Sequence, residues 1–228
     1  LDRRVERGEF IVVEHEPGRA GRAFTTPAMM DLERETIERM RAGQGQHSEL
    51  VSERTREAVA RDDGLLNDSQ RAAVQQILAN PDQVMALEGA AGTGKTTALA
   101  VIRGAAEREA YRVEGFAPTS RAAHKLNEAG IESSTLQRHL ARGEWAVSPA
   151  DHKHLYVLDE SSLAGTKQMH TFLDRLGPHD RVLLVGDVRQ HEAVEAGSAV
   201  PPAPGSRNQH GPSRPDRAPT GSGAEGRR

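Results

Sequence analysis

The sequence predicts an α/β fold in which a mainly parallel sheet is covered by helices on both faces. Three observations lead there. Short apolar runs that read as buried strands alternate with segments of helical periodicity, a glycine-rich turn lies between one such strand and a helix, and a second apolar strand ends in adjacent acids. Strands joined through helices form crossover units, and crossover units give parallel sheets with both faces buried.

Taken in order, Glu9 to Glu14 and Arg22 to Thr26 are two β-prone runs around Pro17 and Gly18, which predicts a small hairpin. Thr26 and Pro27 then read as a cap with proline in the first turn of a helix reaching about Arg41, with apolar positions at Met30, Leu32, Ile37 and Met40. Gly43 to Gln46 end it, and a second, mostly charged helix is expected from Ser48 to Ala60. Residues 1–65 read as a linker or accessory region. The character changes at Asn67. Asp68 to Leu78 opens on a good N-cap candidate and carries apolar residues at helical spacing up to Asn80 and Pro81. The following elements are a strand at Val84–Glu88, a turn from Gly89 to Gly94, a helix from Lys95 to about Glu109, and a strand from Tyr111 to Ala117. Helices from Ser120 to about Ala129 and Thr135 to His139, a strand at His154–Leu158, a helix near Thr166–Leu176 and a strand at Arg181–Val185 complete the pattern. The core unit is expected over 66–199. From Pro201 the sequence is mostly Arg, Gly, Pro, Ser and Asn, with almost nothing to bury, so residues 200–228 read as a disordered tail.

Composition narrows the function classes. With 228 residues, 22 Gly and 12 Pro, the chain allows one ordinary domain plus appendages. There is no cysteine, which excludes disulfides and thiolate zinc sites and fits a cytoplasmic setting. The histidines show no metal-ligand spacing, so no transition metal is expected. No apolar run approaches the roughly 18 residues of a spanning helix, and Leu1-Asp2-Arg3-Arg4 leads into no apolar segment, so neither a membrane span nor a secretory signal is expected. A first residue other than Met fits a fragment or a processed product. A net charge of −3 argues against a surface that is one basic field, yet a local groove for a single strand needs only a few donors.

The segment Gly89-Ala90-Ala91-Gly92-Thr93-Gly94-Lys95-Thr96 satisfies G-x-x-x-x-G-K-[ST] in full. Glycines at Gly89, Gly92 and Gly94 let main-chain N–H groups curl around phosphate oxygens, where a Cβ would obstruct the turn or the ligand. Lys95 can reach β- and γ-phosphates, the Thr96 hydroxyl can ligate Mg²⁺, and Thr97 stands in the first turn of the helix, whose N-terminus favours anions. This is a P-loop, and it implies ATP and Mg²⁺. The second half of the site is Leu155 to Glu160, an apolar strand delivering two acids to its carboxyl end, where open α/β sheets bind ligands. Asp159 is the candidate for orienting Mg²⁺, and Glu160 for polarising the attacking water. Arg181 to Gln190 repeats the logic, a strand ending in Gly186-Asp187 and a polar loop. On spacing alone Gln190 is as readily a surface residue as a contact to the γ-phosphate, and Gln70 alone is an ordinary helix-surface residue.

In order, Gln70, the Gly89–Thr96 loop, Ala117 to Ala123, Ser134-Thr135-Leu136, Leu158 to Ser162 and Val185 to Gln190 resemble the motif series of superfamily 1 helicases. Within these the set is most similar to the RecD-like helicase portion of the conjugative relaxase-helicases, the TraI/TrwC (MobF) family. Gly186 to Gly197 resembles that family's third motif and the stretch beyond it, and the resemblance covers about Leu66 to Ala199. It implies a RecA-like first motor domain (1A) of an ATP-dependent DNA helicase linked to conjugative transfer. It further implies that Gln70 reads adenine, that Lys95 and Thr96 hold phosphate and Mg²⁺, and that Asp159 and Glu160 are the catalytic acids. Gln190 becomes the γ-phosphate sensor, and Pro118, Thr119, Ser120 and Arg121 the segment that contacts single-stranded DNA. Hydroxyls and N–H groups at a helix start can hold phosphodiester oxygens, though Thr119 or Ser120 can equally cap the helix, and both roles can coexist.

The family continues into a second RecA-like domain that supplies arginines across the ATP cleft, and it carries an N-terminal relaxase domain. Here the sequence turns after Ala199 into the Pro/Gly/Arg tail, which reads as truncation after the third motif. The expected partner is therefore a second RecA-like domain in cis or trans, and the expected behaviour is Mg-ATP binding with slow hydrolysis and no unwinding by the chain alone. A complete small P-loop ATPase or kinase stays open as an alternative, although no substrate lid or acceptor site is found for it. A non-catalytic nucleotide-binding remnant is the other.

Overall fold

The structure is a computed structural model and describes residues 2–13, 23–62, 64, 66–89, 94–142 and 153–186. A short helix α1 (Asp2–Glu6) precedes an antiparallel pair, β1 (Ile11–Val13) and β2 (Ala23–Thr25), in which Ile11 faces Thr25. Helix α2 (Pro27–Ala42) starts as its sequence indicates, with the Thr26 hydroxyl accepting the Met29 N–H at 3.2 Å. Helix α3 (Glu53–Ala60) begins later than the pattern suggested. The residues ahead of it are irregular, with Leu50 and Val51 buried in the core and the Val51 N–H bonded to the Leu78 carbonyl at 3.1 Å. Ser52 then caps the helix.

Helix α4 (Asp68–Leu78) carries a full capping box. The Asn67 side chain accepts the Gln70 N–H, and the Gln70 side chain accepts the Asn67 N–H, both at 2.9 Å. After it come β3 (Val84–Glu88), α5 (Lys95–Arg108), β4 (Tyr111–Ala117), α6 (Ser120–Glu128), β5 (Glu132–Thr135), α7 (Leu136–Leu140), β6 (Lys153–Leu158), a 3₁₀ turn over Ser161–Leu163, α8 (Thr166–Asp174) and β7 (Arg181–Gly186). The strands β3 to β7 form one sheet in the order β3-β7-β6-β4-β5, with every neighbouring pair parallel.

Successive residues of the central strands feed opposite faces, the period-two rule of a sheet buried on both sides. Leu155, Val157, Leu183 and Val185 join the cluster under α4, α5 and α6, while Tyr156, Leu158, Val182 and Leu184 join Phe172 and Met169 under α8. Leu50, Val51 and Val59 belong to the first cluster and Met40 packs on the second, so residues 40–59 are built into the same body as the sheet. The tail reading, for residues 200–228, lies outside the described residues.

Besides α1, two features of the sheet have no counterpart in the sequence pattern. One is β5, a polar edge strand reached through Gly130 at φ 76°, whose neighbour Gly115 has no room for a Cβ, since one would lie 2.9 Å from both Ile131 Cγ2 and Leu126 Cδ1. The other is Arg181, 0 % exposed at the start of β7. Its guanidinium donates to the Ser48 carbonyl at 3.1 Å and the Asn80 carbonyl at 2.7 Å and meets the Tyr111 hydroxyl, while burial lowers its pKa.

Glu109, just past α5, anchors α3 from outside the sheet. It accepts the Ser52 N–H at 3.2 Å and the Ser52 and Thr55 hydroxyls at 2.5 Å each, and these hydroxyl bonds hold its carboxyl below the usual range. A depressed carboxyl stabilises the fold above its unfolded pKa, about 4.3, and that contribution fades as pH falls through the lower folded value. Thermal melts across this range are expected to show Glu109→Gln losing less stability on acidification than the unsubstituted chain; equal losses would contradict the anchoring role.

Candidate nucleotide site

Apart from Gln70, the described candidate residues lie between the carboxyl ends of β3, β4 and β6 and the first turn of the helix that follows each. β3 ends at Glu88, and the Gly89 N–H bonds the Gly186 carbonyl, the last residue of β7, at 3.2 Å. Residues 90–93, including Gly92, lie outside the described residues. Gly94 then takes φ 76° and ψ 30° as the N-cap of α5, a left-handed conformation that glycine adopts without strain. The first main-chain bonds of α5 run from Thr97 and Ala98 to the Gly94 carbonyl at 3.1 and 3.3 Å. The N–H groups of Lys95 and Thr96 precede them, as the donors at a helix start do, and stand where an anion can take them. Lys95 Nζ donates back to the Gly89 carbonyl at 2.8 Å, a bond across the mouth of the loop. Thr96 is exposed and Thr97 half-buried.

Gln70 comes from the other side. Its Oε1 is engaged by the Asn67 N–H at 2.9 Å, and its Nε2 lies against Gly94 so closely that a Cβ at Gly94 would collide with it. The capping box of α4 therefore delivers Gln70 to the start of α5, a placement that helix periodicity alone does not reveal.

The acids follow β6. The Asp159 N–H bonds the Phe116 carbonyl of β4 at 2.9 Å, and Asp159 Oδ1 accepts the Glu160 N–H at 2.9 Å. Glu160 has φ 48° and ψ 39°, an uncommon conformation for a residue with a side chain, and it turns the chain sharply into the 3₁₀ segment. Both acids are half-buried. The Ser161 hydroxyl donates to the Val185 carbonyl at 3.1 Å. The phosphate loop and the acid turn thus both bond to the last two residues of β7, which brings the two halves of the site to one place. Gln190 and Asp187, which follow β7, lie outside the described residues.

Pro118, Thr119, Ser120 and Arg121 leave β4 at the same edge of the sheet, beyond β6. Thr119 caps α6 by accepting the Ala122 N–H at 3.2 Å, so the capping role is real; Thr119, Ser120 and Arg121 are exposed and Pro118 half-buried. Sequence reasoning missed a cavity of about 440 Å³ beside Thr96 and Thr97, floored by Ala100 and Val101 of α5 and walled by Val59 and Leu66. No local signal announces it, because its walls lie far apart in the chain.

Residues 65–207 match the AAA domain family. The chain belongs to that family. This AAA domain is 35% identical over 195 residues to the conjugal transfer protein TraA of Agrobacterium fabrum, an alignment covering 84% of the chain and 17% of that protein. It is 26% identical over 206 residues to the multifunctional conjugation protein TraI of Escherichia coli, covering 86% and 12%. With the ATP-dependent RecD2 DNA helicase of Deinococcus radiodurans it shares 34% identity over 138 residues, covering 58% and 19%. The chain spans less than a fifth of the length of each of these relatives. It is a helicase-like, nucleotide-binding AAA domain homologous to conjugal transfer proteins and to RecD-type helicases. Among the described residues no helix is long and apolar enough to cross a membrane.

The donors present suit a hard divalent cation. Thr96 and Asp159 offer oxygen, and the described residues contain no group of three or more His, Cys, Asp or Glu able to hold a metal ion. Magnesium is usually held by one or two protein oxygens together with substrate phosphates and water.

Proposed function

We propose that this domain binds Mg-ATP and serves as the first motor domain of an ATP-dependent DNA helicase linked to conjugative DNA transfer. The observation that carries the reading is the convergence of the Gly89 arm and the Asp159–Glu160 turn on Val185 and Gly186. In this reading the N–H groups at the start of α5 bind the phosphates, and Lys95 exchanges the Gly89 carbonyl for phosphate oxygens. Bound Mg²⁺, held by Thr96 and Asp159, would neutralise charge on the triphosphate. Gln70 orients the base from the cap of α4, beside Gly94. Glu160 orients and polarises the attacking water, and Gln190 senses the γ-phosphate.

Pro118, Thr119, Ser120 and Arg121 are proposed to hold single-stranded DNA by its phosphodiester backbone. A second RecA-like domain, in cis or trans, is proposed to supply the arginine that stabilises the transferring phosphoryl group, a contribution of about 10³ to 10⁵ in rate in P-loop enzymes. Two measurements test this. Titration of the chain with a fluorescent ATP analogue is expected to show saturable binding that requires Mg²⁺, and a flat titration would overturn the reading. Turnover by the chain alone is expected to be slow with or without single-stranded DNA; strong stimulation by DNA would remove the need for a second domain.

A further inference from the structure

The left-handed turn at Glu160 takes a donor out of the sheet. The Asp159 N–H faces β4, where it bonds Phe116, so in a continuing strand the next N–H, that of Glu160, would face β7. Leu158 stands opposite Leu184, which places the Val185 carbonyl as the acceptor awaiting that donor. Instead the Glu160 N–H is turned onto Asp159 Oδ1 at 2.9 Å, and the Ser161 hydroxyl reaches the Val185 carbonyl at 3.1 Å. Ser161 is 3 % exposed, and Gly186 leaves space beside it, since a Cβ there would already stand 3.4 Å from Ser161 Oγ.

We propose that Ser161 is a positioning residue for Glu160, its hydroxyl replacing the lost ladder bond and locking the acid turn against the end of β7. The inference rests on the reading of Glu160 as the residue that polarises water. It explains how a conformation that side-chain-bearing residues disfavour is held in place. It also fixes the acid relative to the phosphate loop, because the adjoining Gly186 carbonyl receives the Gly89 N–H at 3.2 Å.

The test uses the full chain in excess over labelled Mg-ATP, so that a slow single turnover is measurable. Ser161→Ala is expected to slow hydrolysis about tenfold, the scale of one lost hydrogen bond, while the nucleotide Kd stays within about twofold. Ser161→Thr, which keeps the hydroxyl, is expected to recover most of the rate. Hydrogen exchange adds a reading independent of catalysis: protection over 159–164 falls in Ser161→Ala while that of α5 is unchanged. An alanine variant with the original rate, or one whose affinity falls in step with its rate, overturns the proposal, as does unchanged exchange over 159–164. Should the threonine variant fail to fold, the alanine rate, affinity and exchange decide together. Absence of Mg-ATP binding in the unsubstituted chain sinks the nucleotide reading itself, with exchange still deciding whether Ser161 holds the turn; binding without any turnover overturns the positioning role.

Discussion

Lys95→Ala is expected to weaken Mg-ATP binding about 100-fold, whereas Glu160→Gln is expected to leave affinity within about threefold and to slow hydrolysis about 10² to 10³-fold. The difference follows from where each side chain is anchored. Lys95 brings an ammonium to the loop through the 2.8 Å bond to Gly89, so its deletion is expected to remove a charge-assisted contact to phosphate. Glu160 sits beyond the phosphate loop, on a turn fixed through Asp159 and β7, and glutamine keeps its size while losing its capacity to polarise water. Neither change touches the hydrophobic core, so both variants are expected to melt within a few degrees of the unsubstituted chain. Calorimetric or fluorescence titration beside a single-turnover assay separates the two. Equal losses of affinity in both variants would dissolve the division of labour between them.

The largest effect on stability is expected at Arg181. Removing its side chain as Arg181→Ala is predicted to cost about 3 to 5 kcal/mol, measured by urea denaturation. Two carbonyls, those of Ser48 and Asn80, would lose their donor together in part-buried bonds, and the fully buried side chain would leave a cavity in close-packed surroundings. Arg181→Met restores the stem alone and is expected to recover only part of the loss. Because Arg181 opens β7 and the nucleotide site lies at its far end, nucleotide affinity well below the melting temperature is expected to hold. A loss under about 1 kcal/mol for the alanine variant would mean that water or neighbouring donors replace the guanidinium.

Arg181 also shows where sequence reading stops. The strand it opens was legible from Arg181 to Val185 on the strength of the apolar run that begins at Val182. Nothing in that run says that the charged residue ahead of it points inward, because its acceptors come from 133 and 101 residues away in the chain. β5 was invisible for the opposite reason: Glu132, Ser133, Ser134 and Thr135 offer no apolar signal, and the segment is a strand only because β4 presents an edge to it. The P-loop, α4 to α6 and the acids after β6 were readable because their signals are local, being glycine spacing, caps and periodicity. Gln70 was singled out only by resemblance, since its meeting with Gly94 depends on how α4 lies against α5. The left-handed backbone of Glu160 left no trace in residue identity.

The charged stretch ahead of Asn67 looks like a tether, yet Leu50 and Val51 are woven into the body and α3 forms a wall of the cavity beside Thr96 and Thr97. A pull or twist applied through residues 48–62 therefore reaches the start of α5 without crossing the sheet. Residues 48–62 are thereby a fixed part of the domain and not a loose leash.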